Sequence, residues 1–128
     1  MKRPLAACVA VATALSLAAG ACSQAPSRVA GRIVRGGSPS LGADAIRRYG
    51  CGSCHTIPGI RTARGLVGPP LTHWSKRSFI AGELSNTPDN LVRWLVDPKA
   101  VEPGTDMPRL GLSTQTARNV AAYLEGIR

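Results

Sequence analysis

With 128 residues, the chain has room for one domain of about 100 residues once a leader is set aside, and for no more than one small core. Five aromatic residues (Tyr49, Trp74, Phe79, Trp94 and Tyr123) stand against 14 Gly and 10 Pro, which excludes a large core built from side chains alone and cuts the chain into short elements. The formal net charge of +9 falls to +7 when Lys2 and Arg3 leave with a leader, so acidic partners or an anionic surface are expected.

Residues 1–21 read as a secretory signal peptide. Lys2 and Arg3 precede an apolar run from Leu5 to Ala19, interrupted only by Thr13 and Ser16, and Ala19-Gly20-Ala21 leads into Cys22. The run is shorter than the ~20 apolar residues that a membrane span needs. The stretch Leu17-Ala18-Ala19-Gly20-Ala21-Cys22 resembles a bacterial lipoprotein lipobox, with Ala19 where Leu is usual. The expectation is an exported protein on the periplasmic side of a membrane, lipid-anchored through Cys22 as its mature N-terminus. The alternative is plain cleavage after the small residues. Residues 22–40, rich in Ser, Pro, Gly, Ala and Arg without apolar periodicity, are expected to be a flexible linker.

The folded domain is expected over residues 41–128. Leu41, Ala45, Ile46 and Tyr49 recur at helical spacing up to Gly50. Gly59, Gly65, Gly68, Pro69 and Pro70 mark a loop, and 74–81 reads as a turn or two of helix. Thr87-Pro88-Asp89 has the form of a helix start, with Thr87 as N-cap and Pro88 at the first position. That helix carries Leu91, Val92, Trp94, Leu95 and Val96 and ends before Pro98. Residues 98–111 read as an extended loop, and Ser113 caps a last helix with Ala117, Val120, Ala121, Leu124 and Ile127 on one face. The fold class is therefore all-α, with short helices and loops too long for so small a domain unless they wrap a large apolar cofactor.

Only Cys51 and Cys54 remain in the domain, so a disulfide framework is excluded. They stand in Cys51-Gly52-Ser53-Cys54-His55, a C-x-x-C-H sequence whose spacing is that of a c-type haem attachment. Two thiols two residues apart reach two vinyl groups of one porphyrin, and the adjacent imidazole is placed over the iron. A thioredoxin-like dithiol lacks its βαβ context here. A zinc site lacks ligands, since only His73 or a carboxylate would complete Cys51, Cys54 and His55. For the sixth position on a haem iron the domain offers Met107, His73, Lys76 and Lys99. Met107, in the Pro/Gly loop Pro103-Gly104-Thr105-Asp106-Met107-Pro108, is the expected ligand and His73 the alternative. Met/His ligation raises the reduction potential and leaves no open iron site, so the use that remains is electron transfer rather than catalysis.

From residue 41 to residue 128 these features resemble the class I cytochromes c, in the family's order: a first helix, C-x-x-C-H, Gly68-Pro69-Pro70-Leu71, a helix bearing Trp94, the Met107 loop and a last helix. The resemblance implies a small cytochrome c-like fold around one covalent haem c. Pro69 then accepts a hydrogen bond from His55 Nδ1–H, Gly42 and Tyr49 meet Tyr123 and Leu124 at a helix crossing, and Trp94 lies near a haem propionate. Trp94 also suits simple core packing. More narrowly, residues 86–91 and 97–108 look like small cytochromes of bacterial respiratory chains, including those that feed terminal oxidases. The expected function is a respiratory electron carrier, monomeric, meeting redox partners with acidic docking surfaces. The alternative is a cytochrome subunit of a larger membrane oxidoreductase; a haem-based ligand sensor is a third reading, and needs Met107 off the iron. Arg61, Arg64, Lys76 and Arg77 form a basic cluster that either steers such partners or is a solvated face. Nucleic-acid binding is excluded by export and by the lack of a recognition helix.

Overall fold

A computed structural model of the chain describes residues 32–127. The expected signal peptide, Cys22 and most of the expected linker lie outside the described residues. Four helices follow in order: α1 (Pro39–Arg48), α2 (Pro88–Val96), α3 (Pro98–Val101) and α4 (Thr114–Glu125). Each starts from a side-chain cap. The oxygens of Ser38, Thr87, Asp97 and Ser113 accept from the backbone N–H of Leu41, Asn90, Ala100 and Thr116 respectively, and Pro fills the first position of α1, α2 and α3.

The starts of α2 and α4 agree with expectation; three other details differ. α1 begins at Pro39 rather than Leu41, because Ser38-Pro39 is itself a cap and first-turn pair. Leu41 is 55% exposed, and Gly42 takes the inward position instead. α3 forms inside what was expected to be extended loop, since Asp97-Pro98 repeats the cap-and-proline start of Thr87-Pro88. The stretch expected as a turn or two of helix is a 3₁₀ turn, Trp74–Lys76, followed by an antiparallel hairpin of β1 (Phe79–Ile80) and β2 (Leu84–Ser85). Ala81 and Gly82 both have positive φ, 52° and 81°, and Glu83 N–H donates to the Ile80 carbonyl at 3.0 Å, the mirror-image turn that suits hairpin twist.

α4 is the centre of the packing and touches α1, α2 and the Trp74–Lys76 turn. Its crossing with α1 is close. A Cβ added to Gly42 would lie 2.0 Å from the Asn119 backbone oxygen and 3.0 Å from Tyr123 Cβ, so the expected meeting of Gly42 with Tyr123 is present and only Gly allows it. The core joins Ala45 and Ile46 of α1, Leu91, Trp94 and Leu95 of α2 and Ala117, Val120, Ala121 and Leu124 of α4 to Ile57, Ile60 and Trp74 from the loops.

Residues 32–38, within the span expected as linker, lie along α4. Val34 is buried, Ser38 N–H donates to Asn119 Oδ1 at 2.9 Å, Gln115 Nε2 donates to the Gly36 carbonyl at 2.7 Å, and Gly37 lies so close that a Cβ would be 2.5 Å from the Arg118 oxygen. Under this segment Glu125 is 1% exposed, with Arg32 Nη1 at 3.5 Å as its ion-pair partner. Burial pushes the Glu125 carboxyl above the usual carboxylate range, against the opposing pull of Arg32 and of the Trp74 indole.

Two outcomes follow from this packing. Gly42→Ala gains about 1 kcal/mol of helix propensity but overpacks against backbone, and a net loss of about 1–3 kcal/mol is expected in urea unfolding. The raised carboxyl means that the folded chain favours protonation of Glu125 more than the unfolded chain does. That preference is fully present below the range of a free carboxyl and is lost as pH rises through the raised value. Unfolding midpoints of the parent and of Glu125→Gln, measured from about pH 4 to 8, should therefore show the parent at its relative best at the acid end and falling against the variant as pH rises.

Candidate functional site

The C-x-x-C-H sequence sits where α1 gives out. Tyr49 and Gly50 close the helix, Gly50 in the left-handed region at φ 69°, and Cys51–Ser53 turn as a short 3₁₀ helix. Cys54 N–H and His55 N–H both donate to the Cys51 carbonyl, at 3.3 and 3.0 Å, and Ser53 Oγ donates back to the Gly50 carbonyl at 2.7 Å. One tight turn therefore carries both thiols and the imidazole. Cys51 and Cys54 are free and partly buried. Burial pushes the Cys51 thiol up, with Cys54 adding to the rise, the opposite of the lowered value by which a redox-active C-x-x-C dithiol works.

His55 Nδ1 lies 2.7 Å from the Pro69 carbonyl oxygen. A carbonyl only accepts, so Nδ1 carries the hydrogen; in the neutral imidazole Nε2 is then the nitrogen with a free lone pair, as in a metal-ligating histidine whose ring is fixed by a backbone acceptor. The acceptor is held in turn: Gly68 N–H donates to the Cys54 carbonyl and Leu71 N–H to the Thr56 carbonyl, both at 2.8 Å. Three glycines allow the loop to close on the turn. A Cβ on Gly68 would lie 2.4 Å from His55 Cε1, on Gly65 2.4 Å from the Ser53 oxygen, and on Gly52 2.6 Å from Ala63 Cα. Beyond them, Tyr123 of α4 donates its hydroxyl to the Pro58 carbonyl at 2.6 Å.

Hydrogen bonds thus bring Cys51, Cys54, His55 and Pro69 together. Met107 and Trp94 belong to other elements. Trp94 is buried on α2, in agreement with the core-packing reading. Met107 is partly buried against the same core, in a loop ordered by its own bonds: its N–H donates to Thr105 Oγ1 at 3.2 Å, Thr105 N–H to the Glu102 carbonyl at 3.1 Å and Lys99 Nζ to the Thr105 carbonyl at 2.9 Å. His73 is exposed at φ 51°. Among the described residues no group of three or more His, Cys, Asp or Glu side chains is gathered to hold a metal ion, so the zinc half-site gains no fourth partner. The donor set fits a haem: two neighbouring free thiols, an imidazole with its Nδ1 committed elsewhere beside them, and a thioether held in a separate ordered loop.

Sequence reading did not single out Asn86, Asn119, Arg32 or Glu125. Asn86 is buried and donates from Nδ2 to the carbonyls of Trp74 and Arg77 at 3.0 and 3.1 Å, pinning the turn that follows the Pro69 segment. No spacing in a single sequence marks such a residue.

Residues 40–128 match the family model described as Cytochrome c. Similar curated proteins are cytochrome c oxidase subunit 2 of Alkalihalophilus pseudofirmus, 32% identical over 88 residues that make up 68% of this chain and 25% of the relative, and of Bacillus sp. strain PS3, 36% identical over 66 residues, 50% and 18%. The subunit of the same name from Bacillus subtilis is 29% identical over 93 residues, 68% and 26%. The chain thus spans about a quarter or less of the length of these relatives. No solved structure matches it.

Gly68→Ala puts a methyl group where the His55 ring lies. The ring must turn and give up Pro69, and the expected result is a stability loss of about 1–3 kcal/mol together with rapid solvent exchange of a His55 Nδ1–H that exchanges slowly in the parent. Denaturant melts and nuclear magnetic resonance of the ring N–H check the two parts separately.

Proposed function

The chain belongs to the cytochrome c family, and on that premise we propose that it is an exported carrier of single electrons, with one haem c bound covalently through Cys51 and Cys54, working in a respiratory chain. A single observation supports this beyond the family match: the turn that holds two free thiols also holds an imidazole whose Nδ1–H is committed to the Pro69 carbonyl at 2.7 Å, which frees Nε2 for iron. A bound haem iron supplies reversible one-electron chemistry.

The rest is done by the chain's own groups. Cys51 and Cys54 would hold the porphyrin by thioether bonds, and His55 Nε2 and the Met107 thioether would be its ligands to iron. Pro69 keeps His55 in its ligating tautomer, and Trp94, buried in the core on α2, is the aromatic residue proposed to lie near a propionate. With iron held by two side chains, the group would supply electron transfer rather than substrate chemistry. Cys22, where lipidated, tethers the domain on the periplasmic side of a membrane. Among the described residues no helix is long and apolar enough to cross one.

The similar proteins are oxidase subunits, which favours a terminal oxidase as the electron acceptor. The same similarity supports a second reading, in which this chain is a stable subunit of an oxidase-type complex. Co-purification in fixed stoichiometry after membrane extraction is expected of the subunit, and a freely exchanging monomer of the carrier. Arg61, Arg64 and Lys76 are exposed and suit a partner with an acidic face.

The test is the absorption spectrum of the mature protein from a host competent in haem attachment. Sharp reduced bands are expected, with colour that stays on the polypeptide through denaturation and acid–acetone extraction. In Met107→Ala the haem should remain attached while the long-wavelength sulfur-to-iron charge-transfer band of the oxidised protein disappears. Extractable colour would overturn the covalent haem, and a surviving band would overturn Met107 as ligand.

A further inference from the structure

Arg32 lies outside the family-matched residues 40–128, yet its guanidinium reaches into the domain at three points. Nη2 donates to the carbonyls of Ser75 and Arg77 at 3.1 and 3.3 Å, and Nη1 lies 3.5 Å from Glu125 Oε1, which is buried beneath the segment. Asn86 donates to the same turn, at the Trp74 carbonyl and at the Arg77 carbonyl that Arg32 also reaches. The turn acts on what precedes it. Arg77 sends its own guanidinium back to the Pro70 carbonyl and stacks over the Trp74 ring, 5.2 Å from the centroid. Pro70 is the neighbour of Pro69, whose oxygen orients His55. Gly68 and Leu71, on either side of Pro69-Pro70, donate to the carbonyls of Cys54 and Thr56, and Arg77 adds the bond to the Pro70 carbonyl itself.

We propose that Arg32 is a positioning residue for the His55 ligand: anchored by Glu125, it holds the 75–77 backbone in place, and through Arg77 and Pro70 it fixes the carbonyl that accepts the His55 Nδ1–H. The inference rests on the haem reading above. A firmly placed acceptor makes the imidazole a stronger donor to iron, which favours the oxidised state. Loosening the acceptor therefore raises the reduction potential. Removal of a positive charge acts in the opposite sense, because a nearby cation favours the state with the extra electron.

This difference in sign shapes the experiment, carried out on the full, haem-loaded chain. Arg32→Lys keeps the charge but replaces the planar fork by a point donor that cannot serve two carbonyls and a carboxylate together. Arg32→Ala removes the charge as well. The expected result is faster solvent exchange of the His55 Nδ1–H in both variants, and in Arg32→Lys a reduction potential above that of the parent. If Arg32→Lys lowers the melting temperature but leaves both the exchange rate and the potential unchanged, Arg32 is only a strap for the N-terminal segment and the proposal is overturned. A potential lowered in Arg32→Ala with no change in Arg32→Lys also overturns it, as a charge effect. A parent protein without covalent haem overturns both this inference and the functional reading, whereas the preceding outcomes leave that reading intact.

Discussion

The rest of the domain depends on one close approach, the crossing of α1 and α4 at Gly42. Helices of 10 and 12 residues are marginal in water when isolated, so their stability comes from burial against each other and against α2. Because a Cβ at Gly42 would sit 2.0 Å from the Asn119 carbonyl oxygen, the two backbones touch and the crossing has little freedom to slide. Two consequences reach the site. The C-terminal end of α1 is fixed, so the left-handed exit at Gly50 launches the Cys51 turn from a set position. One turn of α4 beyond Asn119, Tyr123 reaches over to the Pro58 carbonyl and secures the loop that leaves His55.

Around the attachment turn the same device is repeated on a smaller scale. Gly52, Gly65 and Gly68 bring backbone and imidazole to distances that any side chain would forbid. This explains how a chain with five aromatic residues orders its loops. It uses backbone hydrogen bonds at contact distance, such as Gly65 N–H to the Gly52 carbonyl at 3.0 Å and Gly68 N–H to the Cys54 carbonyl at 2.8 Å, in place of bulky side-chain packing. A buried backbone group without a partner would be costly, so these bonds fix the path of the loop as well as its end points.

What was legible in the sequence is what local chemistry decides. Thr87-Pro88 and Ser113 announced the starts of α2 and α4, since cap and first-turn preferences act within four residues. Asp97-Pro98 carries the same signal, but the prolines and glycines that follow it mask α3 behind a loop-like composition. Ala81 adopts positive φ because the hairpin closes on Gly82, which a lone Ala does not reveal. The C-x-x-C-H turn and the Gly-Pro-Pro segment were recognisable as motifs, and the bond from His55 to Pro69 follows the resemblance stated from them. Contacts between distant parts were not legible. Glu125 stands on α4 as an ordinary charged residue, and only the return of residues 32–38 across the helix buries it. Those seven residues read as linker because their composition is that of a linker, while the contacts that hold them are mostly to backbone atoms and to three polar side chains of α4, Gln115, Asn119 and Glu125.

The pairing of charges bears on the surface that the site presents. Of the seven acidic residues, Glu125 is buried against Arg32, Asp44 pairs with Arg47 at 2.9 Å, and Asp97 caps α3 while lying 3.5 Å from Arg109. Glu102 turns its carboxylate to the Gly104 N–H at 2.8 Å. Acidic charge is therefore largely taken up by local contacts on α1, α3 and α4. Among the described residues none of the ion pairs involves Arg61, Arg64, Lys76 or Arg77, the basic residues that flank the attachment turn and the Pro69 segment. Among the described residues no ion pair offsets their charge, nor that of Arg35, Arg93 and Arg118 elsewhere, so positive charge stands beside the turn without being confined to it. A field of that sign attracts an acidic partner over roughly a Debye length, about 8 Å at physiological salt, and orients the approach before contact. Composition gave the sign of the charge, and the fold decides where it acts.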